Sequence, residues 1–394
     1  MRRGRPRARI RAAALVLLAA ALLFLFLRSL PPARHPLDAA LLLQALLAGE
    51  EKSWLKGWGA APMRREADFP DGVMDLYTPA GGDEAPSPRG CILLAHGMTD
   101  RGRRDPRIAA FARALARLGF AAAVPELEGM KRFRPEAADI SRIESAFGRL
   151  TRLHGGAARP CGLFAFSFAA GPALKAAARP GLRGRVGYLI AFGAYYDLRA
   201  VLRGLTTGGR GEEPAFPGGP PVRAGKWLFL RYNTDLLGLA GHEAVAAEIV
   251  RRKLADEAAD IGPLLARLPE GPRRVIALME NRDPARFEAL YAGQPAALRE
   301  RVARWSVGEE IVRTRMPLFL LHGRGDPFIP PSESVRLAEA ARGRPPGSGK
   351  VRLLIVERFA HVDPKESAGG WGDLWEAARL LGFISEILTA MEGG

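Results

Sequence analysis

The sequence predicts an α/β protein built on a mainly parallel sheet with crossover helices on both faces. Three observations lead there. From about Met63 onward, short apolar β-type runs alternate with amphipathic helical segments, the pattern of strand–helix–strand units. The strand signal disappears between roughly Asp197 and Arg315 and then resumes, so this stretch reads as a helical insertion on the sheet. Finally, 394 residues with 48% hydrophobic content, 45 Gly, 31 Pro and two Cys exclude a disordered chain, a collagen and a disulfide scaffold.

The charge is uneven along the chain. There are 58 Lys plus Arg against 42 Asp plus Glu, a formal net charge of +16. Nearly all of the cations are Arg, in a sequence rich in Ala, Gly and Pro, which points to a compositional bias, and no nucleic-acid partner is expected. Eight of the Arg precede residue 38, with no acid among them. There, Ala12 to Leu27 is an uninterrupted apolar run flanked by Arg11 and Arg28. A helix of this length falls just short of a bilayer core, and a snorkelling Arg28 extends its reach. No small-x-small cleavage site follows it, so an uncleaved signal anchor is expected at residues 1–36, with a single transmembrane helix at about 12–30. Six Arg before the apolar run and two after it place the N-terminus in the cytoplasm and the body of the protein on the extracytoplasmic side of the membrane.

Pro31-Pro32 is expected to stop that helix, and residues 37–62 to form a helical stalk or packing segment. Met63 to Phe69 and Gly72 to Thr78 read as a hairpin about Pro70-Asp71-Gly72. Strands are then expected at Cys91 to Ala95, Ala121 to Pro125, Gly162 to Phe166, Val186 to Phe192, Pro317 to Leu321 and Val351 to Val356. Helices are expected at Ile108 to Leu118, Glu136 to Leu153 and Trp371 to Leu388. In the insertion, about 198–312, Gly204 to Pro221 reads as a hinge-like loop. Lys226 to Tyr232 follows it, then a helix with Val245, Ile249 and Leu254 on one face.

The chemistry concentrates at strand ends. Leu163-Phe164-Ala165-Phe166-Ser167-Phe168-Ala169 is an apolar strand that turns into a helix at a Ser flanked by small residues, as a sharp strand-to-helix turn requires. His96-Gly97-Met98 follows one strand, His322-Gly323-Arg324-Gly325-Asp326-Pro327 another, and Phe359-Ala360-His361-Val362 the last. This constellation resembles the α/β-hydrolase fold superfamily over about Met63 to Leu388, which implies a hydrolase domain at 63–394 with the helical insertion as a lid before the strand carrying the acid.

The resemblance implies Ser167 as nucleophile, Asp326 as orienting acid and His361 as general base, with the backbone N–H groups of Met98 and Phe168 as oxyanion hole. Asp197, after the strand ending at Phe192, is the alternative acid. The expected activity is hydrolysis of a small-molecule carboxylic ester through an acyl-enzyme. Acyltransferase, peptidase and thioesterase use the same machinery, and a catalytically silent membrane-tethered binding protein is the reading from another class. The other His make no metal-ligand spacing, and Gly347-Ser348-Gly349-Lys350 lacks the first Gly and the following helix of a phosphate loop, so no metal or cofactor is expected. His96 and His322 read as structural, and Arg101, Arg103 and Arg104 as a solvated loop face. Cys91 and Cys161 open strands expected to be neighbours, as nearby free thiols.

Overall fold

The strands expected from the apolar runs assemble, in a computed structural model, into one eight-stranded sheet of order β1-β2-β4-β3-β5-β6-β7-β8. The described residues are 31–57, 60–81, 87–154, 159–207, 224–357, 359–360, 363–364 and 371–394. The hairpin of β1 (Met63–Phe69) and β2 (Gly72–Thr78) forms the edge, and β2 runs antiparallel to β4 (Ala121–Pro125). All other pairings, through β3 (Cys91–Ala95), β5 (Cys161–Phe166), β6 (Leu189–Phe192), β7 (Leu318–Gly323) and β8 (Val351–Val356), are parallel. Every residue of β3, β4 and β6 is buried, as befits parallel strands covered on both faces, whereas β1 carries Arg64, Arg65 and Glu66 on an exposed edge.

Alternation along the strands sorts side chains onto two cores. Leu93, Ala95, Leu163, Ala165 and Ala191 face helices Ala137–His154, Ala170–Ala178 and Pro331–Arg342. Ile92, Leu94, Phe164, Ile190 and Phe319 face three others, which we label α1 (Pro31–Ala48), α2 (Pro106–Arg117) and α3 (Trp371–Met391). The insertion is helical, with its own core of Trp227, Leu230, Ile249, Ile276 and Phe287. Trp227 and the buried amines Lys226 and Lys253 sit together there, paired with Glu257 at 2.8 Å and Glu280 at 2.9 Å.

Several expectations are corrected. Pro31 and Pro32 lie within α1, and the helix they were expected to close lies outside the described residues. The segment after it is a packing element: Ala39, Leu41, Leu42 and Leu43 are buried, while Trp54 is 67% exposed. Gly204 to Thr207 belong to helix Leu198–Thr207, and the rest of the expected hinge, 208–221, lies outside the described residues. Leu254 is exposed while Lys253 is buried, since positions 245, 249 and 253 share a helical face and 254 turns away from it. β6 is shorter than expected at its start. Among the described residues no helix is long and apolar enough to cross a membrane, and the span expected at 12–30 lies outside them.

Arg103 is not part of a solvated face. It is buried against Asp75 and Glu66, while Arg101 and Arg104 are exposed. The two cysteines are not free thiols either: Cys91 and Cys161 stand in register on β3 and β5 with Cα atoms 4.4 Å apart and form a disulfide. In-register residues of parallel neighbours project to the same face, which puts both sulfurs on one side of the sheet. The bond closes a separation of 70 residues, for which loop-closure entropy gives about 4 kcal/mol. The double variant Cys91→Ala/Cys161→Ala should therefore lose on the order of 3 kcal/mol or more in urea unfolding; a loss under about 1 kcal/mol would contradict this contribution.

Candidate active site

β5 delivers Ser167 in a backbone conformation that few side chains adopt. Its φ is +56°, in the left-handed region, with the strand ending at Phe166 and a short 3₁₀ turn, Ser167–Ala169, leading into helix Ala170–Ala178. Such a residue stores about 1–3 kcal/mol and persists only where its surroundings over-determine it. Here Ala165 and Ala169 are fully buried on either side, where larger side chains would collide with the returning chain. Ser167 itself is 5% exposed and opens into a cavity of about 970 Å³.

The β3–β5 register extends past the strands. Ala95 pairs with Ala165, so Gly97 arrives beside Ser167, and a Cβ added at Gly97 would lie 3.3 Å from the Phe166 carbonyl and 3.5 Å from the Ser167 Cβ. Glycine permits this approach. Met98, Ser167 and Phe168 consequently line the same cavity. His96 holds the loop. Its Nε2 accepts the Leu127 N–H at 3.1 Å, which leaves Nδ1 to donate to the Gly97 carbonyl at 2.9 Å. Because the peptide is planar and trans, a carbonyl pinned toward His96 turns the following Met98 N–H the opposite way. His96 thus has the structural part expected of it, and that part bears on the site.

Asp326 follows β7 and its side chain is fully buried. One oxygen accepts the N–H groups of Phe328 at 2.8 Å and Ile329 at 2.9 Å, and the other lies 3.3 Å from His322 Nε2. His322 is itself locked between Ser334 Oγ, at 2.6 Å, and the Ile329 carbonyl, at 2.9 Å. Asp197, the alternative acid, is occupied otherwise: it accepts the Arg199 N–H at 2.9 Å and the Ser306 hydroxyl at 3.1 Å, at the start of helix Leu198–Thr207. His361 lies outside the described residues. Phe359–Ala360, just before it, runs beside β7 and pairs with Asp363–Pro364.

The lid roofs this region. Leu228 and Phe229 line the cavity, Trp227 packs in the lid core, and Tyr232 stacks on Phe133 at 4.7 Å. At the mouth, burial alone would raise Asp105, but the Arg107 side chain and N–H and the Thr99 hydroxyl hold it below the usual carboxylate range. Tyr195 was not anticipated from the sequence. It is fully buried beneath Phe168, with ring centroids 5.8 Å apart; burial pushes its phenol well up, and its hydroxyl has no hydrogen-bond partner among the described residues. The available signal was Gly171, four residues past the Ser, where a Cβ would collide with that hydroxyl.

The strand order, the antiparallel β2 and the left-handed Ser between β5 and a helix together are the α/β-hydrolase fold. No family model and no curated protein matches the sequence. Among solved structures, the chain is similar to an acylaminoacyl peptidase of Pyrococcus horikoshii, with a TM-score of 0.46 and 12% identity over 86% of this chain and 42% of that one. The chain therefore spans about two fifths of that peptidase. It is also similar to an esterase of Pyrococcus furiosus (TM-score 0.42, 12% identity, 84% and 93% covered) and to Est1E from Butyrivibrio proteoclasticus (0.44, 11%, 85% and 100%).

The Tyr195 geometry gives a direct test. Gly171→Ala should destabilise the protein by about 1–3 kcal/mol through the collision, and Tyr195→Phe, which removes a buried unpartnered hydroxyl, should be neutral or stabilising and should rescue Gly171→Ala in part, since the added Cβ would still lie 2.8 Å from the ring. Thermal melts of the three variants read this out; independent, additive effects would refute the contact.

Proposed function

We propose that this protein is a serine hydrolase that cleaves carboxylic esters through an acyl-enzyme. The observation that carries the proposal is Ser167 at φ +56° on the strand-to-helix turn, facing a large, mostly apolar cavity beside the Gly97-Met98 loop. Nothing in ordinary packing asks for a β-region residue to be held in this conformation, whereas a nucleophile presented clear of its neighbours does.

In the proposed reaction His361 takes the Ser167 proton as Oγ bonds the ester carbonyl carbon. Asp326 fixes the imidazole tautomer and balances its charge. The N–H groups of Met98 and Phe168 hold the developing oxyanion, worth about 3–4 kcal/mol each. The carbon–oxygen bond to the alcohol then breaks, and His361 passes the proton to the departing alkoxide. Water repeats the sequence on the acyl-enzyme and releases the acid. The buried Asp326 carboxylate, with one oxygen saturated by two backbone N–H groups, suits an acid that orients and does not take the proton.

Ser167→Ala and His361→Ala should each lower p-nitrophenyl ester turnover by several orders of magnitude without altering the melt, and Ser167→Ala should abolish labelling by a fluorophosphonate probe. Wild-type kcat/KM should rise from acetate to at least butyrate. A wild-type protein that neither labels nor turns over esters would favour the silent binding protein, and an active Asp326→Asn with a dead Asp197→Asn would move the acid.

We further propose that residues 12–30 anchor the protein, with the catalytic body on the extracytoplasmic side. The Cys91–Cys161 disulfide supports this placement, since such bonds persist in oxidising compartments. A reporter fused after Gly394 should be active outside the cytoplasm, and the protein should stay with membranes after a salt wash; release by salt would overturn the anchor.

A further inference from the structure

The cavity at Ser167 does not end under the lid. It continues past the C-terminal edge of the sheet and down the face covered by α1, α2 and α3, where β3, β5 and β6 contribute Ile92, Phe164 and Ile190, and the helices contribute Leu42, Ile387 and Leu388. The polar groups of the lining, among them Thr99, Asp105, Arg301 and the charged turn Glu50–Lys52 that follows α1, lie on loops, helix ends and the lid, and none lies on β3, β5 or β6. A pocket with such walls holds neither ordered water nor a ligand that must satisfy hydrogen bonds.

Its shape follows from the elements around it. α1 lies between α3 and α2 and roofs the gap between them. Counting back along β5 from Ser167 to Gly162, which pairs with Ile92, gives five residues and so a depth of about 16 Å, the reach of an extended chain of about a dozen carbons. The far end is closed. There Arg89 bonds Asp38 of α1 at 2.6 Å, the Leu118 carbonyl at 2.6 Å and Glu392, while His35 lies 3.2 Å from Glu392. This half-buried ionic knot ties α1 to the ends of α2 and α3 and stoppers the channel. The total volume, about 970 Å³, equals roughly thirty waters at about 30 Å³ each, a great deal more than a butyryl group fills.

We propose that this channel receives the acyl chain of the substrate, and that the acyl group is linear and about a dozen carbons or longer. The proposal rests on the hydrolase reading for its chemistry, but the binding of the chain does not. With the carbonyl at Ser167, the chain descends along a wall formed by Phe166 and Phe111, whose rings are in edge-to-face contact with centroids 5.8 Å apart, and passes Phe164 and Ile190 toward Leu388. Peptides, sugars and nucleotides are excluded from the lower chamber by its lack of polar partners. Each methylene accommodated raises affinity roughly three- to fourfold until the closed end is reached.

The test separates the channel from the chemistry. Calorimetric titration of Ser167→Ala protein with hexanoate and dodecanoate, below their micelle concentrations, should show dodecanoate binding at least a hundredfold tighter. Adding Ile190→Trp, which blocks the channel midway, should remove most of that difference, and Leu388→Trp, nearer the closed end, should remove less. In the active enzyme the kcat/KM optimum for p-nitrophenyl esters should fall at dodecanoate or longer and move to shorter chains with Ile190→Trp. Equal binding of hexanoate and dodecanoate, or an optimum at butyrate that Ile190→Trp leaves in place, would overturn the channel. Tight, Trp-sensitive dodecanoate binding without any ester turnover would uphold the channel and discard the hydrolase reading instead.

Discussion

The pairing of β3 with β5 is the constraint on which the rest of the site depends. Its register, from Cys91 against Cys161 to Ala95 against Ala165, sets Gly97 against Ser167 two residues beyond the last strand pair. A slip of one residue would turn every side chain of one strand to the other face and replace Gly97 by His96 or Met98 at the elbow, where a Cβ has almost no room. The disulfide ties the register at the start of the pair, and the His96 bonds to Gly97 and Leu127 tie it at the end. The left-handed Ser167 is stored strain, and the buried Ala165, Ala169 and Gly171 around it are what allow the strain to persist.

The two faces of the sheet are put to different uses. On one, Ala-rich strand positions let helices approach closely, and that core is filled. On the other, Phe164, Phe166 and Phe192 alternate with those alanines and stand beneath three helices that leave a channel. The alternation of small and aromatic residues along β5, Ala165 between Phe164 and Phe166, is thus a division of labour. The Ala face packs the helix that follows the nucleophile, and the Phe face lines space continuous with it.

The lid and α1 enclose the same volume from opposite ends. The lid has its own core around Trp227, so its inner surface of Leu228 and Phe229 is held by a folded unit. α1 is held by Arg89, Asp38 and Glu392 on one side and, through the turn just past its C-terminus, by Glu50 against Arg113 on the other. Ionic contacts on both sides of an apolar helix fix its position without filling the space beneath it.

Much of this was legible in the linear pattern. β3 and β4 coincide with their apolar runs, because a strand buried on both faces is a run bounded by turn residues, and β1 and β2 are bounded by the turn at Pro70-Asp71-Gly72. Ser167 and Asp326 were marked by their places at strand ends, since parallel strands present their C-terminal residues to one edge of the sheet. What the sequence could not express is which surfaces stay apart. Pro31-Pro32 is as compatible with ending one helix as with beginning another, and whether Cys91 and Cys161 bond depends on where their Cβ atoms point across two strands far apart in the chain. The channel, the buried Arg103 and the orphaned Tyr195 hydroxyl arise only when three or more elements converge. Local sequence therefore determined the strands, the turn and the residue types available for chemistry. Tertiary packing alone decided what lies empty beside them, because a cavity is a property of surfaces that fail to meet and no single segment encodes it.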